Sequence, residues 1–581
     1  MQTKSRSSKS SNEISPAPDS VKQEQTAARA RWSFAIGVAV AVVLFLAIYL
    51  ARLDRVVGLF VDDAWYVLLA QALATGQGYQ LINSPSPGIL PTYPPVYSFL
   101  LSLAYRLWPS FPANLPLLKS VSILAMLVVG WASWRHFRRD RQWPQWLALV
   151  SGLTIALAPS LVFLATSSAM SECVYMMFQL LAVVAIETCA RSEQDKRGWR
   201  YALLAGALAA AAFLTRSIGV AVIGAGSLYL LKERRWRSAV LFAATAVLLA
   251  APWTLYARRH APTREQRFEQ GGMIVQPYNV QLWQRRAGDV TAGTVDLSEM
   301  PSRFWENTRK VIGNNPARLF LPVFYRSTKL SGEEVLESSL NTKLAAWLLS
   351  ALILPGLALT VYRKITTAEL LVVFTFLIAA IWPWDTYRFI LPLAPFLLFY
   401  LLETLRALYK LVQEKLEIKS LPSSEKILLG VVGFVLALYL VDHAGYWYAR
   451  NDPSRAEYLP WRVLFDENKA ALDWLREKTP PDAVVVTENP ALVYLYTGRK
   501  SMAGEQAAGK WEDWKRLNVR YMAHLSIYPI PPPSLIDGRF TQAYISPGPL
   551  KLRIIDFGPK ENRKPWNAFS PAGQMNIDIR R

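Results

Sequence analysis

Eleven apolar runs, each long enough to cross a bilayer, punctuate the first three quarters of the chain, and they exclude almost every soluble architecture. They lie near residues 34–50, 117–134, 146–164, 174–190, 201–214, 218–231, 239–256, 344–361, 370–384, 389–405 and 427–441. Hydrocarbon offers no partner to a backbone N–H or C=O, so runs of this length must be helices. The expected fold class is therefore an all-α polytopic membrane domain. The first run is too long for a signal-peptide core and lacks a convincing small-residue cleavage site, so it reads as an uncleaved anchor.

Charge sets the orientation. The formal net charge is +21, yet the Lys and Arg residues fall in short connections: Arg135-His136-Phe137-Arg138-Arg139, 191–200, 232–237, Arg363-Lys364 and 406–426. That is the positive-inside pattern of a membrane protein, and it argues against nucleic acid as a partner. A further apolar run, 96–108, is short and framed by Pro94-Pro95 and Pro109, which suits an interfacial or half-membrane helix. If it does not cross, all five basic connections share a side with residues 1–31, a Ser-, Ala-, Gln- and Lys-rich stretch that reads as a disordered cytoplasmic tail. About 11 crossings follow, with the N-terminus inside and the C-terminus outside. The two cysteines, Cys173 and Cys189, share one run and would stand about 24 Å apart on a helix, so they cannot pair. Neither has metal-ligand spacing with any of the four histidines.

On this topology the polar groups at span ends collect on the outer face. Asp62 and Asp63 open a helical run, where one acid would serve as a cap; a second beside it offers a base and a group to orient a hydroxyl or bind a cation. Glu172 follows Ser167, Ser168 and Ser171 at the outer end of its span, placed either to position an acceptor or to complete a divalent-metal site such as Mg or Mn. Arg216, Arg258, Arg259 and Arg388 lie outside, where basic residues next to spans are unexpected, and arginine forks suit a phosphate. The outer loop 257–342 runs roughly 85 residues and mixes aromatics with arginine (Arg264, Arg267, Phe268, Trp283, Arg285, Arg286, Phe304, Trp305), as a functional lid would. Residues 444–581 read as a small extracytoplasmic α/β domain, with helices at 468–478 and 491–497 and strands at 483–487, 520–526 and 551–557. No phosphate-cradling Gly-Lys-Ser/Thr loop, dinucleotide fingerprint or zinc helix is present.

The stretches Asp62-Asp63-Ala64-Trp65-Tyr66, Gly76-Gln77-Gly78-Tyr79 and Tyr93-Pro94-Pro95-Val96-Tyr97 resemble the first outer loop of GT-C glycosyltransferases. The nearest likeness is to bacterial aminoarabinose (lipid A) transferases and protein O-mannosyltransferases. Leu214-Thr215-Arg216, Ala251-Pro252-Trp253 with Arg258, and Tyr387-Arg388-Phe389-Ile390-Leu391-Pro392 add to it, as do Ala471-Leu472-Asp473-Trp474-Leu475 and Tyr496-Thr497-Gly498-Arg499. The resemblance implies a GT-C-like membrane domain over 32–443, with outer loops 51–115 and 257–342, in a bacterial cytoplasmic (inner) membrane. It also implies inverting transfer of a single sugar from a polyprenyl-phosphate donor to a lipid, glycan or protein hydroxyl. Asp62 would be the general base, with Asp63 beside it, and Arg258, with Arg216 or Arg388, would hold the phosphate. Two departures, Asp63 where glutamate is common and Tyr93-Pro94 where aminoarabinose transferases carry a glutamate-lysine pair, argue against an aminoarabinose donor. A transporter or flippase for an amphipathic anion, and a non-catalytic envelope scaffold, are the alternatives; the first predicts ionisable residues at mid-membrane and repeated halves.

Overall fold

The computed structural model describes residues 18–58, 60–192, 198–263, 266, 276–286, 289–321, 340–416, 422–452, 460–503, 511–525, 541–548 and 550–559. The chain forms two compact units, Met1–Ala47 and Ile48–Arg581, and the candidate site lies wholly in the second. Ten helices come first: α1 (Pro18–Arg52), α2 (Asp62–Ala74), α3 (Pro95–Leu107), α4 (Leu115–Arg135), α5 (Gln145–Ala156), α6 (Pro159–Thr166), α7 (Glu172–Arg191), α8 (Gly198–Thr215), α9 (Val220–Lys232) and α10 (Trp236–Arg259). Beyond the long loop that follows α10 come α14 (Leu340–Arg363), α15 (Thr367–Ile381), α16 (Tyr387–Ile390), α17 (Ala394–Lys415) and α18 (Ser424–Asn451).

Among the described residues, eight helices are long and apolar enough to cross a membrane, and the bent pair α5–α6 makes a ninth. Ser217–Lys232 and Thr367–Ile381 are shorter apolar helices. Together these segments coincide with the eleven runs seen in the sequence. The 48° bend between α5 and α6 precedes Pro159. A residue before proline avoids helical backbone, and Ala158 accordingly has ψ 123°. Helix α3 has 13 residues and so rises about 20 Å, short of the roughly 30 Å of a hydrocarbon core. Its Phe99, Leu103 and Leu107 are exposed while Tyr97, Leu101 and Tyr105 are buried, so one face packs on the protein and an apolar face is left open. Close packing elsewhere depends on small residues: at Gly356 of α14 a Cβ would stand 1.8 Å from the carbonyl oxygen of Tyr400 in α17.

The long loop between α10 and α14 is folded where it is described. It contains α11 (Tyr278–Gln281), an antiparallel hairpin of β1 (Gln284–Arg286) and β2 (Asp289–Thr294), α12 (Met300–Gly313) and α13 (Asn315–Phe320). Asn307 of α12 donates to the carbonyls of Ala380 (3.1 Å) and Trp382 (2.8 Å), satisfying the open end of α15, and Asn315 donates to Thr386 (3.0 Å). Described residues of the loop thus brace the segment that leads to Arg388. Arg264, Arg267 and Phe268 lie outside the described residues.

The expected boundary at 444 falls inside α18, which continues to Asn451. The α/β part then runs α19 (Pro460–Lys478), β3 (Val484–Thr487), α20 (Pro490–Thr497), β4 (Ser501–Ala503), α21 (Trp511–Arg516), β5 (Val519–His524), β6 (Thr541–Ile545) and β7 (Arg553–Asp556). Its sheet has the order β4-β3-β5-β7-β6, parallel across β4-β3-β5 and antiparallel thereafter, over a core that includes Val486, Met502, Trp514 and Met522. Strands β4 and β6 had no clear alternation to reveal them. The sheet docks on the first outer loop: Ser501 N–H donates to the Asn83 carbonyl (2.8 Å), and Asn489 Nδ2 to the Gly58 carbonyl (3.2 Å).

Candidate active site

Helix α2 begins after a strained entry. Gly58 has φ +103° and Val61, at the N-cap, has φ 61°, a region a branched side chain rarely occupies. What holds this backbone is Asp63. Its Oδ2 accepts from Gly58 N–H (2.8 Å), and its Oδ1 from the N–H groups of Phe60 and Ala64 (both 3.1 Å). The side chain is buried, and burial pushes its carboxyl up to about 6 against the opposing pull of the Gly58 and Phe60 N–H donors. The structure therefore separates the acidic pair: Asp63, expected beside Asp62 as a catalytic group, faces the loop backbone.

Asp62 points the other way. Its Oδ2 accepts from Arg388 Nη1 at 2.7 Å, and its Oδ1 accepts from the Tyr93 hydroxyl. Arg388 Nε also donates to Glu172 Oε1 at 2.5 Å, and Arg216 Nη1 stands 2.9 Å from the same oxygen and 3.1 Å from Ser171 Oγ. The result is a line of alternating charge, Asp62, Arg388, Glu172, Arg216, with two acids matched by two guanidinium groups. The helices that carry its two central members, α7 with Glu172 and the continuous α16–α17 span with Arg388, are the two most buried of the eight spans, and both begin at this site. Glu172 is fully buried in the first turn of α7, where the helix N-terminus favours a negative charge, while Asp62 and Arg388 remain partly open. Glu172 Oε2 has no hydrogen-bond partner among the described residues.

Tyrosines enclose Asp62. The Tyr66 and Tyr93 rings pack with centroids 4.9 Å apart, and the Tyr66 hydroxyl bonds Ser171 Oγ (2.9 Å). Burial, then the charge of Asp62, raises the Tyr93 phenol well above its ordinary value, so it is a proton donor throughout the working pH range. The backbone at Tyr93 is tied in turn: its carbonyl accepts from the Tyr79 hydroxyl (2.6 Å) and that of Thr92 from the Tyr278 hydroxyl (2.5 Å).

Of the six residues singled out beforehand besides Asp62, the structure joins Glu172, Arg216 and Arg388 to it. Asp63 is turned away. Arg258 and Arg259 are exposed at the end of α10 and enter no ion pair among the described residues. Helix α10 nonetheless adjoins the site, since Trp253 meets Tyr79 edge-to-face at 5.2 Å. Among the described residues no three of Asp, Glu, His or Cys converge on one point, and both acids of the line are already matched by guanidinium groups. A Mg or Mn ion on Asp62 and Glu172 would have to compete with Arg388 for both carboxylates.

Two features escaped the sequence reading. Tyr93 stands in the sequence within the Tyr93-Pro94-Pro95-Val96-Tyr97 stretch and as a departure from the aminoarabinose-transferase pair, with no role of its own. Lys119, fully buried in α4, donates to the carbonyls of Asp54 (2.7 Å) and Thr166 (2.9 Å), and the Asp54 carboxylate accepts from Ser167 (2.7 Å) and Tyr446 (2.6 Å). This second polar cluster anchors the loop before α2. A lone lysine inside an apolar run was the available signal.

The model of the dolichyl-phosphate-mannose-protein mannosyltransferase family matches residues 92–256. No curated protein matches the chain in sequence. Among solved structures, ArnT from Cupriavidus metallidurans bound to undecaprenyl phosphate superposes with a TM-score of 0.53 at 15% identity, covering 89% of this chain and 97% of that one. Its apo state gives 0.53 at 14% identity, over 92% and 100%. The archaeal oligosaccharyltransferase AglB from Archaeoglobus fulgidus, in complex with an inhibitory peptide and a dolichol-phosphate, gives 0.43 at 12% identity over 80% and 65%. The chain is a multi-pass membrane protein with the GT-C fold, similar to ArnT along nearly its whole length.

Proposed function

We propose that this protein is an inverting GT-C-type glycosyltransferase. It moves a single sugar from a polyprenyl-phosphate donor to an acceptor hydroxyl at the outer face of a bacterial cytoplasmic membrane, with Asp62 as general base. The observation that carries the reading is the setting of Asp62: a partly exposed carboxylate at the end of the bundle, oriented by Arg388 and Tyr93, on a fold whose solved counterpart holds undecaprenyl phosphate. The family model over 92–256 supports a lipid-phosphate sugar donor.

In the proposed reaction Asp62 takes the proton of the acceptor hydroxyl as that oxygen attacks the anomeric carbon from the face opposite the phosphate. The bond from that carbon to the phosphate oxygen breaks, and polyprenyl phosphate leaves with the electron pair. General base assistance of this kind contributes about 10² to 10⁴ in rate. Glu172, fully buried, takes the positioning role through Arg388, which it holds in line with Asp62. Arg388 and Arg216 are engaged by the acids, so Arg258 and Arg259 are the guanidinium groups open to a phosphate. Helix α3, lying in the interface, and the folded outer loop would flank the lipid tail.

The test is release of free polyprenyl phosphate from radiolabelled polyprenyl-phosphate sugars by protein in lipid nanodiscs supplied with envelope extract. Wild-type turnover that falls at least a hundredfold in Asp62→Asn supports the reading; equal turnover removes Asp62 as the base.

A further inference from the structure

We infer that Tyr93 is a positioning residue for Asp62, and that the long outer loop governs it through Tyr278. The inference rests on the reading of Asp62 as the base. An ionised carboxylate can only accept hydrogen bonds, so the Tyr93 hydroxyl is the donor in its bond to Oδ1, as Arg388 is to Oδ2. Both oxygens are thus engaged, one by a charged group and one by a neutral group, and the carboxylate plane is set between them. Removing either donor frees a rotation about the side chain.

Tyr93 can hold this position because its own backbone is held. The Tyr79 hydroxyl binds its carbonyl, and the Tyr278 hydroxyl binds the carbonyl of Thr92, one residue before. The next two residues, Pro94 and Pro95, have restricted φ, which stiffens the segment where it enters α3. Tyr278 belongs to α11 of the outer loop, and its ring also meets Trp382 at 5.5 Å. Movement of α11 would therefore reach Asp62 in two steps, through Thr92–Tyr93. The raised phenol of Tyr93 agrees with its acting as donor at every working pH. The other titratable groups set around Asp62 are Arg388, Glu172, Arg216, Asp63, Tyr66 and Tyr278.

The experiment is an infrared pH titration of the protein in nanodiscs, in which the carboxylic acid band missing from Asp62→Asn reports the midpoint of Asp62 without any substrate. Losing a donor to the charged form raises an acid's midpoint, so Tyr93→Phe is expected to move it up by about half a unit to one unit. Tyr278→Phe should move it the same way by less. With a polyprenyl-phosphate sugar, Tyr93→Phe should lower kcat about tenfold and keep the donor KM within twofold. An unchanged midpoint in Tyr93→Phe overturns the inference. If that variant does not fold, Tyr278→Phe, whose hydroxyl is bonded to the Thr92 carbonyl and not to Asp62, decides it alone, and an unchanged midpoint there overturns it equally. Retained activity in Asp62→Asn would overturn the base reading, a failure told apart because the midpoint does not depend on turnover.

Discussion

Replacing Arg388 with lysine keeps the charge of the site and removes only its geometry. Arg388 serves its two acids with different atoms of one rigid fork, Nε to Glu172 at 2.5 Å and Nη1 to Asp62 at 2.7 Å. A lysine has one nitrogen and keeps one contact. Glu172 is fully buried whereas the Asp62 side chain is 26% exposed, so the ammonium should stay with Glu172, whose charge water cannot reach. Asp62 then keeps only Tyr93. A hydrogen bond to a charged group is worth about 1.5–3 kcal/mol. If that energy is expressed in the transition state, kcat falls roughly 10- to 150-fold, at about 1.4 kcal/mol per tenfold. Stability should drop by only about 1 kcal/mol, because Glu172 retains Arg216. The assay is polyprenyl phosphate release under saturating donor, with thermal unfolding in parallel. Arg388 also stood in the sequence reading as a phosphate ligand, and that role predicts a raised donor KM with kcat little changed. A rise confined to KM, or wild-type kcat in Arg388→Lys, would refute the argument that Arg388 aligns the base.

Asp63→Asn should lower thermal stability by about 1–3 kcal/mol at pH 5, since an amide nitrogen would meet the N–H of Gly58 or Phe60, while leaving the donor KM unchanged. The wild-type carboxyl sits at about 6 when folded, above its ordinary 3.8, so the folded state binds the proton more tightly. Its contribution to stability is then greatest below about pH 4 and is lost as pH rises through 6; the Tm difference between wild type and variant, followed from pH 4 to 7, should fall accordingly. Gly58→Ala places a Cβ 2.2 Å from Leu492 Cδ1 at φ +103°, and the resulting shift of the loop should cut kcat severalfold, with a Tm loss corresponding to about 1–2 kcal/mol. Gly356→Ala puts a Cβ into the Tyr400 backbone, which cannot yield cheaply; it should cost about 1–3 kcal/mol in unfolding while the folded fraction keeps wild-type kcat, and normal stability would show that α14 and α17 can part.

The apolar helical segments and the site residues at their ends were legible in the sequence, because both are local; of the eleven runs, eight give helices long enough to cross among the described residues and the bent α5–α6 pair a ninth. A helix rises 1.5 Å per residue, so the length of an apolar run already states what it can cross, and basic connections orient the whole. The prolines around α3 announced a short helix. The strands at 484–487, 519–524 and 553–556 were likewise visible as short apolar runs, within a residue or two of their ends. Asp62, Glu172, Arg216 and Arg388 could each be picked out as an ionisable residue at a span end, one at a time.

Their relations could not. Asp62 and Arg388 are 326 positions apart, and nothing in either neighbourhood says that one fork joins Asp62 to Glu172. The adjacent acids looked equivalent, yet a left-handed turn at Gly58 and Val61 aims Asp63 into three backbone N–H groups and leaves Asp62 to the site. Lys119 looked like an interruption of an apolar run until Asp54 and Thr166 were brought to it. Hydropathy is a property of a segment and acts wherever that segment goes. Pairing of buried polar groups is a property of places where segments meet, and those places exist only once the chain has folded.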